Sequence, residues 1–147
     1  MKQALSLAKL ALGQVSPNPA VGAIVVRDSE VVGQGYTQPP GSQHAEVMAL
    51  NQAEGKTQGS TMYVTLEPCR HQGRTDPCTQ SIIDAGVTEV HLAMLDPNPL
   101  MSGRGEDELT REGVKTFLGE HEEEARDINE AYLKFITAGM PFVTVKF

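Results

Sequence analysis

Tryptophan is absent from the 147 residues, and only three tyrosines and four phenylalanines are present. An aromatic core is therefore excluded, and Val, Ile, Leu and Ala must do the packing, as in a layered α/β protein. No apolar run approaches the roughly 20 residues a membrane-spanning helix needs. The amino end, MKQALSLAKLALG, has the lysine and apolar residues of a secretory leader. Ser6 and Lys9 interrupt it at helical spacing, however, and no A-x-A site follows. Lysine and arginine number 12 against 19 acidic residues, for a net charge of −7. That balance argues against a nucleic acid partner, which needs a basic face. It leaves room for a small anionic ligand held by one or two local cations. Only two cysteines occur. A chain without a secretory segment is expected in the cytoplasm, where thiols stay reduced or hold a metal.

The length suits one domain over 1–147. Lys2–Leu12 places Leu5, Ala8 and Leu12 on one helical face, ending at Gly13. Ala20–Val26 is a continuous apolar strand, expected to be central and covered on both sides. The turn Arg27–Glu30 returns it as a hairpin through Val31–Tyr36. His44–Gln52 predicts a helix with Val47, Met48, Leu50 and Ala53 inward. Thr61–Leu66, Val87–Met94 and Val114–Leu118 predict strands, with helices over Pro77–Ala85 and Glu106–Glu112. Glu120–Ala138 predicts one long acidic helix capped by Gly139, and Pro141–Phe147 a last β segment. A hairpin followed by alternating helices and strands implies a mixed five-stranded sheet in a three-layer α/β/α sandwich.

The chemistry concentrates in two stretches. In Tyr63–Cys78, YVTLEPCRHQGRTDPC, a strand breaks at Pro68, Cys69 sits at the break, and Cys78 follows Asp76–Pro77 at a helix start. Upstream, His44-Ala45-Glu46 opens another helix. One imidazole and two thiolates at element ends are a ligand set for a tetrahedral zinc with an open position. Glu46, two residues from His44, is placed to carry a proton from water to a leaving amine. The spacing predicts a thiolate at Cys78, next to a helix N-terminus. Residues alone leave alternatives open. The cysteines also fit a disulfide or plain packing. A structural zinc would want a fourth ligand, for which His71 is the nearby candidate.

The order H-x-E, then P-C, then a further Cys, fits the zinc deaminase signature. With SPNPAVGAIVV, HAEVMAL, DPNPLMSGRG and PFVTVKF, the chain resembles the pyrimidine deaminase of riboflavin biosynthesis, a branch of the cytidine deaminase superfamily. Eight residues separate the cysteines, where most of the superfamily has P-C-x-x-C. The resemblance implies a cytidine deaminase-like fold and deamination of a phosphorylated ribosylamino-diaminopyrimidine. It implies zinc held by His44, Cys69 and Cys78, with Glu46 as proton shuttle. It further implies Asn18 on the pyrimidine, His71 and Arg74 near the phosphate, and Asp96 and Asn98 lining the pocket. It also implies a homo-oligomer, dimer or tetramer. Bifunctional members continue past PFVTVKF into a reductase domain, so residues 141–147 either pair with the sheet or lead onward.

Two positions depart from the pattern. Thr37 stands where the family commonly has His, and Arg70 where it often has Ser, adding a cation beside the zinc loop. By themselves, Asn18, Asn98 and Asp96 also suit turns or caps, and Arg74 a solvated surface. The remaining readings are a deaminase of a related aminopyrimidine, nucleoside or guanine-like base, and a non-enzymatic zinc-stabilised or disulfide-bridged domain whose Glu120–Glu124 run is a binding surface.

Overall fold

The hairpin sets the frame. In a computed structural model of the chain, which describes residues 1–71 and 76–145, β1 (Gly22–Arg27) turns through Asp28 and Ser29 into β2 (Glu30–Tyr36). Both turn residues have positive φ, 51° and 64°, as a two-residue hairpin loop requires. β1 pairs antiparallel with β2 on one side and with β3 (Thr61–Val64) on the other, which makes it the interior strand its apolar run predicts. β3, β4 (Glu89–Leu92) and β5 (Lys115–Leu118) run parallel, in the order β2-β1-β3-β4-β5. The sheet is mixed and five-stranded, as expected.

Helices cover both faces. α2 (Ala45–Gln52), α3 (Cys78–Asp84) and α4 (Arg104–Arg111) neighbour one another on one side, and α1 (Lys2–Ala11) with α5 (Glu122–Ile128) lies on the other. Met62, Val64, Val90 and Leu92 are fully buried on the α2 side. Alternate positions stack Tyr63, His91 and Phe117 on the opposite face, with centroids 4.5 and 4.8 Å apart. Each fully buried Leu or Met contributes about 1.5–3 kcal/mol, so this core needs no aromatic centre.

Three expectations are corrected. α2 turns Ala45, Glu46, Ala49, Leu50 and Ala53 inward, whereas Val47 and Met48 are half-buried. The cause lies in β2. A side chain at Gly33 or Gly35 would collide with the α2 backbone, so the helix rests on the sheet through its alanines. Second, the long acidic helix is broken into α5 and α6 (Glu130–Ala138). At the break, buried Asn129 accepts from the Ala20 amide at 2.7 Å and donates to the Ala20 carbonyl at 2.9 Å. Two tertiary hydrogen bonds worth about 1 kcal/mol each outweigh a helical propensity at Asn that is weak to begin with. Third, Pro141–Val145 forms no strand and is exposed. Gly139 ends α6 with φ 65°, and the Lys134 ammonium lies 5.7 Å from the Phe142 ring centroid. Lys146 and Phe147 lie outside the described residues.

Candidate active site

Strand direction gathers the chemistry at one end of the sheet. β1 is antiparallel to β2 and β3, so the start of β1 lies beside the ends of both. β4 runs with β3, so its end joins them. The SPNP loop before β1, the loop leading to His44, the β3 end at Cys69 and the β4 end at Asp96 therefore surround one cavity of about 470 Å³. That is within the range of small-molecule sites, and carboxyl ends of parallel strands are where open α/β sheets bind ligands.

His44 caps α2 in extended conformation, and Cys78 is the first residue of α3 after Pro77. His44 Nδ1 stands 3.2 Å from Cys78 Sγ and 3.5 Å from Cys69 Sγ. All three donor atoms lie within 4.8 Å of one another, close enough to hold one metal ion. Both cysteines are free thiols, so the disulfide alternative is set aside. Among the described residues His71 is not part of this trio; it lines the cavity instead. The site is thus a three-ligand arrangement, the form that leaves a metal position open.

Without a metal, the Cys69 thiol is the more readily ionised of the two. The Cys78 thiol donates to Cys69, and the Cys78 amide adds a bond at 3.4 Å to the same sulfur. These, with His44, bring the Cys69 thiol down to about 4. Cys78 is pushed up, first by its bond to Cys69 and then by burial. The helix N-terminus therefore serves Cys69 through the amide it presents. The Cys69 hydrogen bond holds the His44 imidazole up at about 9.

Glu46 is 4% exposed and lines the same cavity. Burial, followed by the nearby Cys69 thiolate, pushes its carboxyl up to about 7. A carboxyl poised there takes and returns protons near neutral pH. Asn18, His71, Asp96 and Asn98 all line the cavity. Burial raises the Asp96 carboxyl, whose Oδ1 accepts the Asn98 amide at 2.9 Å. The Asn98 side-chain oxygen accepts the Leu100 amide at 3.0 Å. Arg74 lies outside the described residues.

Arg70 is not among the residues that line the cavity. Its Nε lies 3.7 Å from Glu108 of α4, which also accepts from Thr79. Thr37 lines the cavity and fastens β1 to β2, its hydroxyl accepting the Val21 amide at 2.9 Å. Two residues were not singled out from the sequence. Tyr132 donates to Asp96 Oδ1 at 2.9 Å, bringing α6 over the cavity. Glu67 is buried beside Cys69; its signal was a lone acid where a strand's apolar run ends.

Residues 1–94 match the family described as the cytidine and deoxycytidylate deaminase zinc-binding region. The riboflavin biosynthesis protein RibD of Aquifex aeolicus is 53% identical over 99% of this chain, which spans 41% of that protein. The diaminohydroxyphosphoribosylamino-pyrimidine deaminase of Buchnera aphidicola is 41% identical, with 96% of each chain covered. The structure of Acinetobacter baumannii RibD superposes with a TM-score of 0.92 at 44% identity, covering 96% of this chain and 40% of that one. The chain thus spans about two-fifths of the RibD proteins it matches and belongs to the cytidine and deoxycytidylate deaminase zinc-binding family, in its RibD-type diaminohydroxyphosphoribosylaminopyrimidine deaminase branch.

Proposed function

We propose that the chain hydrolytically deaminates 2,5-diamino-6-ribosylamino-4(3H)-pyrimidinone 5′-phosphate to 5-amino-6-ribosylaminouracil 5′-phosphate and ammonia, in riboflavin biosynthesis. The observation that carries this reading is a buried carboxyl, Glu46, on the wall of a cavity also lined by His44 and Cys69, whose donor atoms group with the buried Cys78 sulfur for one metal. His44 Nδ1 and the sulfurs of Cys69 and Cys78 would hold the metal. A zinc ion held there would supply the Lewis acidity that makes water a nucleophile near pH 7. Glu46 accepts the proton as the water oxygen adds to the ring carbon bearing the 2-amino group. It returns the proton to a ring nitrogen. A second proton passes through Glu46 to the amine, the carbon–nitrogen bond breaks, ammonia leaves and a carbonyl remains.

Asn18 reads the amide-like edge of the ring, and Asp96 and Asn98 hold the pyrimidine from the opposite loop. His71 and Arg74 receive the phosphate, which suits an imidazole and a guanidinium. Residues 1–147 form one deaminase domain in this reading. A cytoplasmic setting fits the free thiols, and exposed Phe117, Leu118, Phe135 and Phe142 supply apolar surface for a homo-oligomer.

Two measurements follow from it. The phosphorylated precursor is expected to be deaminated at least ~10-fold more efficiently than its dephosphorylated form, since charged hydrogen bonds are worth about 1.5–3 kcal/mol. Cytidine and guanine are expected to be poor. Steady-state rates on the four compounds check this, and a preference for an unphosphorylated ring would overturn the substrate assignment. Zinc binding to metal-free protein at pH 7 is expected to release about two protons. One comes from the Cys78 thiol, and one from His44, which carries its proton below about 9. Above that pH His44 is already neutral, so release falls towards about one. Calorimetry in buffers of different ionisation heat measures the count; release of none at pH 7 would contradict the ligand set.

A further inference from the structure

Glu67 stands two residues before Cys69, is 4% exposed, and reaches with its carboxylate into the loop between β4 and α4. Its Oε2 accepts the amides of Asp96 at 3.1 Å and Gly103 at 2.9 Å. Its Oε1 accepts those of Gly105 at 2.7 Å and Glu106 at 3.3 Å. The last two belong to the first turn of α4, where amides have no partner within the helix. One side chain therefore holds both ends of the segment that carries Asp96 and Asn98. Its own amide donates to the Met94 carbonyl at 3.0 Å, which fixes the strand end from which it reaches. Gly105 permits the approach: a Cβ there would strike the Pro68 carbonyl and press on the Glu67 side chain.

We infer that Glu67 is a positioning residue, which sets the Asp96–Asn98 wall of the cavity in register with Cys69 through these four amide bonds. The inference rests on the proposed function for its claim that this wall binds substrate. The residue type is dictated by the amides. A carboxylate is all acceptor, with lone pairs for four donors, whereas the isosteric amide turns one oxygen into an NH₂ that faces two N–H groups. Two amides then lose their partner. The zinc ligands are untouched by that change, and so is Glu46. The expected defect is in holding the substrate.

The test compares wild type, Glu67→Gln and the milder Glu67→Asp. Glu67→Gln is expected to keep one zinc per chain, to raise KM by roughly 10–100-fold and to lower kcat by less than about tenfold. Amide exchange at Asp96, Gly103, Gly105 and Glu106 is expected to quicken by at least ~10-fold, while that of the β3 and β1 amides is unchanged. Glu67→Asp keeps the charge on a shorter stem and is expected to fall between the two. Asn98→Ala is expected to raise KM in wild type but to add little in the Glu67→Gln background, because groups in one hydrogen-bond network, here joined through Asp96, are non-additive. Unchanged KM with normal exchange, or a loss confined to kcat, would overturn the proposal. If Glu67→Gln fails to fold, the Glu67→Asp measurements decide it on the same criteria. If wild type does not act on the phosphorylated diaminopyrimidine, the substrate reading fails, and local exchange alone decides whether Glu67 holds the loop.

Discussion

Replacing Glu46 by glutamine is expected to lower kcat by about 10²–10⁴-fold, the usual worth of a positioned acid–base group, without loss of zinc. Glutamine matches the shape of the buried side chain but cannot take a proton from water or return one to the amine. Its effect on stability separates chemistry from folding. The Glu46 carboxyl is raised from 4.5 to about 7 in the folded chain. A raised acid leaves the folded state holding more protons than the unfolded one between those values, so its contribution to stability falls as pH rises through that window. Above about 7 the metal-free wild type carries a buried charge that glutamine removes. The metal-free variant is therefore expected to melt no lower than wild type at pH 8 while the zinc-loaded variant is nearly inactive. Near-normal turnover by Glu46→Gln would end the proton-shuttle assignment.

Removing the metal is expected to abolish turnover and lower the melting temperature while leaving the fold in place. The core of Met62, Val64, Val90, Leu92, Ile82 and Leu109 is buried independently of the trio, unlike a zinc finger, which has no fold without its ion. The ligands are partly held in any case: the Cys78 amide bonds Cys69, and His44 faces both sulfurs. Zinc at a thousandfold over its Kd stabilises by about 4 kcal/mol, a drop on the order of 10 °C for a domain of this size when it is withdrawn. Far-UV circular dichroism below the transition is expected to be unchanged. Turnover that survives full chelation would contradict the zinc role, and a chain that unfolds outright would contradict the independent core.

The sheet, the order of elements and the metal trio were legible because each depends on local pattern. Apolar strands, helix starts after Pro77 and before Ala45, and a histidine and cysteines at element ends all follow from neighbouring residues. What was not legible depends on contacts made across the chain. Asn129 ends α5 because of Ala20, 109 positions away, and no propensity in NEAYLKF signals that. α2 takes its phase from glycines on β2, whereas side-chain bulk alone points to Val47 and Met48. Charge placement depends on contacts of the same kind. The amide that the helix start at Cys78 offers reaches the Cys69 sulfur. Arg70, a cation beside the zinc loop, has Glu108 of α4 as its neighbour. Thr37 stands where an imidazole was expected and instead ties two strands at the cavity mouth.

The central claim is that one zinc held by His44, Cys69 and Cys78, with Glu46 beside it, drives hydrolytic loss of ammonia from the phosphorylated diaminopyrimidine. The most direct test strips the chain of metal, adds zinc back in fractions of an equivalent, and measures ammonia and product on that substrate at each step. Activity is expected to be nil without metal and to climb linearly to a plateau at about one zinc per chain, with ammonia and the uracil product formed in equal amounts. Ammonia release that ignores zinc, or a fully loaded chain that leaves the substrate intact, would contradict it.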